Sequence, residues 1–191
     1  MTEAQYALLG VFIGAALTCL WDILKSFLNK GKEAHYLAVR LVPVLEQFLD
    51  GCYDVASDDG TYHGQPAGND DTYSPQVKIP ELILPDDVEW KSVDKDLVEE
   101  IMKLPVKLYS INKTLNIDAE FAEPDYSDYM SSRQLQFSKF SLELDHIISR
   151  LKKKILNQKP TVYSGLWNPR EWCQTFISKY EDRMKALEGK K

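Results

Sequence analysis

Asp54, Asp58, Asp59, Asp70 and Asp71 gather around His63 in one short stretch, with Tyr62 and Tyr73 beside them. Clustered carboxylate oxygens are the donor set of hard divalent cations such as Ca²⁺ or Mg²⁺. The spacing does not fit a calcium-binding loop. Placing Gly60 at its sixth position puts Val55 at the first, where an Asp is required. Asx-Gly pairs and adjacent Asp residues are also ordinary turn chemistry. The stretch is therefore expected to be a solvated, turn-rich loop. A divalent metal held by Asp58, Asp59, His63, Asp70 and Asp71 is the competing expectation.

Other reactive groups do not converge. His35 and His146 are far apart, and both fall in stretches with helical spacing. No G-x-S-x-G, no phosphate-binding glycine loop and no H-E-x-x-H occurs. No cofactor is expected. Cys19, Cys52 and Cys173 form neither metal spacing nor an even disulfide set, which fits a reducing compartment. Asn112-Lys113-Thr114 matches a glycosylation acceptor, but it falls inside an expected helix. Tyr163, Trp167 and Trp172 cluster with Phe176 near the C-terminal end. Packing accounts for such a group, and a partner-binding patch is the functional alternative, because Trp and Tyr anchor interfaces.

Composition narrows the classes. The chain has 191 residues, with 23 Lys and Arg against 29 Asp and Glu, for a formal net charge of −6. Every basic residue lies beyond position 24, yet the part that follows is still mildly acidic. Nonspecific nucleic-acid binding needs a basic face, so no nucleic-acid partner is expected. Lys152-Lys153-Lys154 reads as a basic helix terminus, and Lys190-Lys191 as a tail.

The element that positions everything else is Ala4 to Trp21, a run without a charged residue, bracketed by Glu3 and Asp22. At about 1.5 Å per residue such a run spans roughly 27 Å, close to the ~30 Å hydrocarbon core. Core helices rarely go so long without a charge. A signal peptide needs a basic n-region, and no Lys or Arg precedes Lys25. A lipoprotein signal ending at Cys19 fits poorly, because Thr18 is not the small residue wanted just before the Cys. The stretch reads as a single transmembrane helix, with the bilayer as partner of residues 4–24. Lys25, Lys30, Lys32 and Arg40 follow it, so the N-terminus is expected outside and the rest in the cytoplasm. Tyr6 and Trp21 suit the headgroup level. Gly10-x-x-x-Gly14, continued by Thr18, is a small-residue stripe that lets two membrane helices approach closely.

Beyond the anchor, a juxtamembrane turn to about residue 30 and a break at Gly31 are expected. A second helix runs from about Glu33 to about Ala56, with Leu37, Leu41, Val44, Leu45, Phe48 and Cys52 on one face, and Pro43 kinking it or marking its first turns. Ser57 to Pro75 is loop. Pro80 and Pro85 turn the apolar segment that follows, through residue 93, into an extended strap laid across helices. A third helix starts near Asp94 on a heptad-like seam of Leu97, Ile101, Leu104, Leu108, Ile111 and Leu115, bent at Pro105. Asn116 to Asp125 reads as connector. The fourth, from about Asp125 to about Asn157, has two apolar faces and should be the bundle's centre. Asn168-Pro169-Arg170-Glu171 then opens the last helix with a cap, a proline at its first position and a reciprocal Glu.

The expected architecture is all-α: an anchor over 1–30, then a cytosolic domain over 31–191 of about four helices with a Pro-containing strap. The expected function is a membrane-anchored, non-enzymatic interaction or scaffold protein that pairs with itself or with another protein. Its rival is a membrane-tethered enzyme or sensor holding a divalent metal at loop 54–71.

Overall fold

A computed structural model describes residues 3–122, 125–163 and 165–188, with the side chains of 3–10 and of Phe27 outside the description. The surroundings of Tyr6 and Gly10, Pro124 in the expected connector, and the Lys190-Lys191 tail thus lie outside the described residues.

The fold is all-α with four helices. Helix α1 runs from Glu3 to Ser57, α2 from Lys95 to Phe121, α3 from Ser127 to Leu151 and α4 from Pro169 to Glu188. A π-helical turn, Lys152–Leu156, prolongs α3. Two two-residue strands, β1 Thr61–Tyr62 and β2 Gln65–Pro66, make a minute hairpin whose turn residues His63 and Gly64 both have positive φ, as a type I′ turn requires.

The N-terminal apolar segment and the first bundle helix are one uninterrupted α-helix of 55 residues, so the expected break at Gly31 does not occur. Gly31 keeps a negative φ and has open space around its Cα. Removing a side chain costs an exposed helix position only about 1 kcal/mol, too little to stop a helix pinned on its far side by packing. Pro43 does not end it either. Its ring faces solvent, while Leu41, Val42 and Leu45 hold the same turns in the core. The N-terminal part of α1 is long and apolar enough to cross a membrane, and none of its most apolar window is buried in the protein. Phe12, Leu17, Leu20 and Trp21 are all exposed.

Helix α3 is the centre, packed against α1, α2 and α4. It is antiparallel to α1, with Phe140 set edge-on to Phe48 at 5.9 Å, and antiparallel to α2 through ion pairs Glu100–Arg150 and Lys107–Glu143. Phe137, Phe140, Leu144, Ile147, Ile148 and Leu151 are buried along it. The α2 seam is buried at Leu97, Ile101, Leu104, Leu108 and Leu115. Helix α2 continues to Phe121, through residues expected as connector, because Leu115 and Ala122 are still buried there. The strap fills the gap between α1 and α2. Ile79, Leu82, Leu84, Val88 and Trp90 pack against the core, and at Gly51 the strap comes so near α1 that an added Cβ would stand 3.0 Å from Cβ of Pro80. The N-cap of α4 forms with the Glu171 amide donating to Oδ1 of Asn168 at 3.3 Å.

Candidate functional site

Asp58 follows the last turn of α1 and turns inward. It is buried, and its carboxylate is surrounded by donors. Oδ1 accepts from the Gly60 amide at 3.1 Å. Oδ2 accepts from the amides of Gln76 at 2.9 Å and Val77 at 3.0 Å, and from Nη1 of Arg133 at 2.8 Å. Arg133 lies on α3, is itself buried, and gives its other terminal nitrogen to the Val77 carbonyl. Burial by itself would raise the Asp58 carboxyl. The amides of Val77 and Gly60, the Arg133 guanidinium and the Gln76 amide outweigh it and hold the group below the usual carboxylate range. This constellation ties the end of α1, the start of the strap and α3 together, with the Asp58 charge already paired to the Arg133 guanidinium.

The other loop acids are scattered. Asp59 accepts from the amide and hydroxyl of its neighbour Thr61, at 3.0 and 2.7 Å. Asp70 and Asp71 are exposed and both left-handed, in a short 3₁₀ turn after Gly68. His63 sits exposed at the hairpin turn against the Tyr62 ring, with centroids 4.3 Å apart. Among the described residues no three His, Cys, Asp or Glu side chains converge as metal ligands.

Tyr163 and Trp172 are half-buried against the core, and Trp167 is exposed. Tyr163 turns inward, edge-on to Tyr53 at 5.9 Å, with the Arg170 guanidinium 5.6 Å from its ring centre. Arg170 in turn donates to the buried Asp145 at 2.6 Å, and that carboxylate holds the guanidinium further above its ordinary range. Trp167 begins an aromatic row that continues along α4 through the half-buried Trp172, Phe176 and Tyr180, with Trp172 also packed against the core. The Trp167 and Trp172 rings are 5.9 Å apart, Trp172 stacks on Phe176 at 5.2 Å, and Tyr180 continues at 6.4 Å. Trp167 is 52% exposed, with Val162 and Leu166 open to solvent next to it.

In the apolar segment, an added Cβ at Gly14 would touch nothing. Thr18 donates its hydroxyl to the Gly14 carbonyl at 2.9 Å, so it needs no partner from another helix. Cys52 and Cys173 are buried. Burial pushes the Cys173 thiol up to about 11 and the Cys52 thiol up as well, so both stay protonated at neutral pH.

The main residue missed by sequence reasoning is Arg133. It stands four before Phe137 on the buried face of α3, and a charge in such a stripe is the signal of a buried partner. No family model matches this chain, and no curated protein or solved structure matches it either.

Proposed function

We propose that this protein is a membrane-anchored, non-enzymatic scaffold that holds a helical interaction domain at a bilayer surface. One observation carries the reading: the unburied apolar stretch and the first bundle helix are the same rod, so span and domain form one unit. An apolar surface of this length stays in water only at large cost. The basic residues Lys25, Lys30, Lys32 and Arg40 on the bundle side favour a cytoplasmic domain and an external N-terminus. Gly10, Gly14 and Thr18 offer a face for a second membrane helix, a further copy included. The exposed Trp167, with Val162 and Leu166 beside it and the half-buried Trp172, Phe176 and Tyr180 continuing the row, is the surface for a protein partner, since aromatic clusters anchor interfaces. The metal-holding rival has no support in the geometry, because Asp58 spends its carboxylate on Arg133 and three amides.

Fractionation of the full-length chain tests the anchor. The protein is expected to stay with membranes through an alkaline carbonate wash, and a reporter fused after Lys191 is expected to work only if it needs the cytoplasm. Release by the wash would remove the anchor. A reporter active on the outer side would reverse the orientation.

A further inference from the structure

Where α1 leaves its apolar stretch it does not stand alone. The turn at Trp90–Ser92 lies against it, held by the Ser92 amide and hydroxyl, which donate to the Glu89 carbonyl at 3.1 and 2.6 Å. Between turn and helix opens a polar cleft of about 580 Å³, lined among others by Asp22, Lys25, Lys30, Glu33, Glu89 and Lys91. It holds three ammonium and three carboxylate groups. Among the described residues, none of the six takes part in an ion pair.

The height of this cleft is set by the helix. If the apolar span ends at Leu24, Lys30 stands about 9 Å and Glu33 about 14 Å further along the axis at 1.5 Å per residue. Helix side chains lean toward the N-terminus, here back toward the bilayer. The headgroup layer is roughly 5–7 Å deep on each side of the hydrocarbon. Lys30 therefore reaches into it from above, and the Glu33 carboxylate sits one turn further out. A phospholipid presents its charges in that order: phosphate near the hydrocarbon, amine beyond it.

We infer that this cleft binds a phospholipid headgroup carrying a primary amine, of the phosphoethanolamine class. Lys30 and Lys91 take the phosphate. Glu33 and Glu89 take the ammonium. Asp22 and Lys25 stand three residues apart at the N-terminal end of the cleft, where their opposite charges sum to zero, so Lys30 and Lys91 are the phosphate ligands. The amine is primary because Glu33 and Glu89 accept hydrogen bonds from N–H groups, which a quaternary ammonium lacks, and among the described residues no aromatic side chain lines the cleft as a quaternary ammonium would want. A headgroup with phosphate alone leaves two carboxylates facing its charge. The inference rests on the single-span reading and adds a lipid preference to it.

The test uses the full-length chain in nanodiscs of phosphatidylcholine mixed equally with phosphatidylethanolamine or with phosphatidylglycerol. Lipid retained after detergent extraction is identified by native mass spectrometry. Phosphatidylethanolamine is expected to be retained about fivefold over its bulk share, the scale of one or two solvent-exposed charge pairs. Lys30→Ala with Lys91→Ala abolishes the retention. Glu33→Gln with Glu89→Gln loses the preference for phosphatidylethanolamine over phosphatidylglycerol. All four side chains are exposed, so helicity by circular dichroism should not change. Retained lipid that mirrors the bulk in an inserted protein overturns the headgroup site and leaves the anchor standing. A chain that does not enter the discs overturns both. Soluble O-phosphoethanolamine binding as tightly in pure phosphatidylcholine discs overturns the lipid as source and makes the site one for a free phospho-amine.

Discussion

Nη1 of Arg133 lies 2.8 Å from Oδ2 of Asp58, across 75 residues of chain, and both side chains are almost wholly buried. The pair joins the C-terminal end of α1 to the N-terminal part of α3 where the strap begins. Charges removed from water are tolerated only when hydrogen bonds complete them, and here the amides of Gly60, Gln76 and Val77 do so.

Arg133→Leu leaves the Asp58 carboxylate buried without its cation. Breaking one side of a buried pair costs about 3–5 kcal/mol. The variant is expected to unfold at lower denaturant than wild type by that amount, read by circular dichroism. Asp58→Asn with Arg133→Leu should recover part of the loss, because no lone charge then remains inside. A single variant as stable as wild type would show the pair to be dispensable.

Acid should act through the same carboxylate. Its folded pKa lies below the unfolded value of about 3.9, so its contribution is complete above roughly pH 4 and is lost as pH falls through the lower folded pKa. Stability measured from pH 6 down to pH 2 should fall less steeply in Asp58→Asn than in wild type. Parallel curves would assign acid sensitivity to the surface carboxylates Asp94, Glu99, Glu100 and Asp125, which are lowered in the same direction by their own partners.

Gly51 should resist enlargement although it lies in a helix. A Cβ there stands 3.0 Å from Pro80 Cβ and 3.1 Å from its Cγ. Gly51→Val is expected to cost about 1–3 kcal/mol through overpacking and to open the strap to limited proteolysis around Pro80. A gain in stability, as helix propensity alone would give, would mean the strap yields without cost.

Gly10→Ile with Gly14→Ile keeps the segment apolar, so membrane insertion should survive. The branched side chains hold backbones apart, so in-membrane crosslinking between copies should be lost. Crosslinking unaffected by the pair of substitutions, or missing from wild type, reduces the stripe to a plain tether.

Helix existence, the central place of α3, the strap and the Asn168 cap were legible because each rests on local chemistry: apolar spacing, prolines and a capping side chain. Continuity through Gly31 was not, since a glycine's local cost is outvoted by packing that only the assembled core supplies. Extension of α2 to Phe121 escaped for a related reason, because Leu115 and Ala122 are held by neighbours distant in sequence. The acidic stretch was read as five equivalent carboxylates. Only Asp58 has a burial partner, and that partner lies on another helix. Trp167 is near Tyr163 and Trp172 along the chain, yet those two pack against the core and Trp167 does not, a difference that sequence proximity does not carry.

The unbroken α1 has a consequence for orientation. A helix advances 100° per residue about its axis, and nothing between Leu24 and Leu37 relaxes that phase. The azimuth of the bundle about the α1 axis is therefore locked to the face that carries Gly14. Two copies joined along that face would present their bundles at one fixed mutual angle. Adding a single alanine after Lys30 would swing each bundle by about 100° while lifting it only about 1.5 Å, and adding a full turn of helix would restore the original facing.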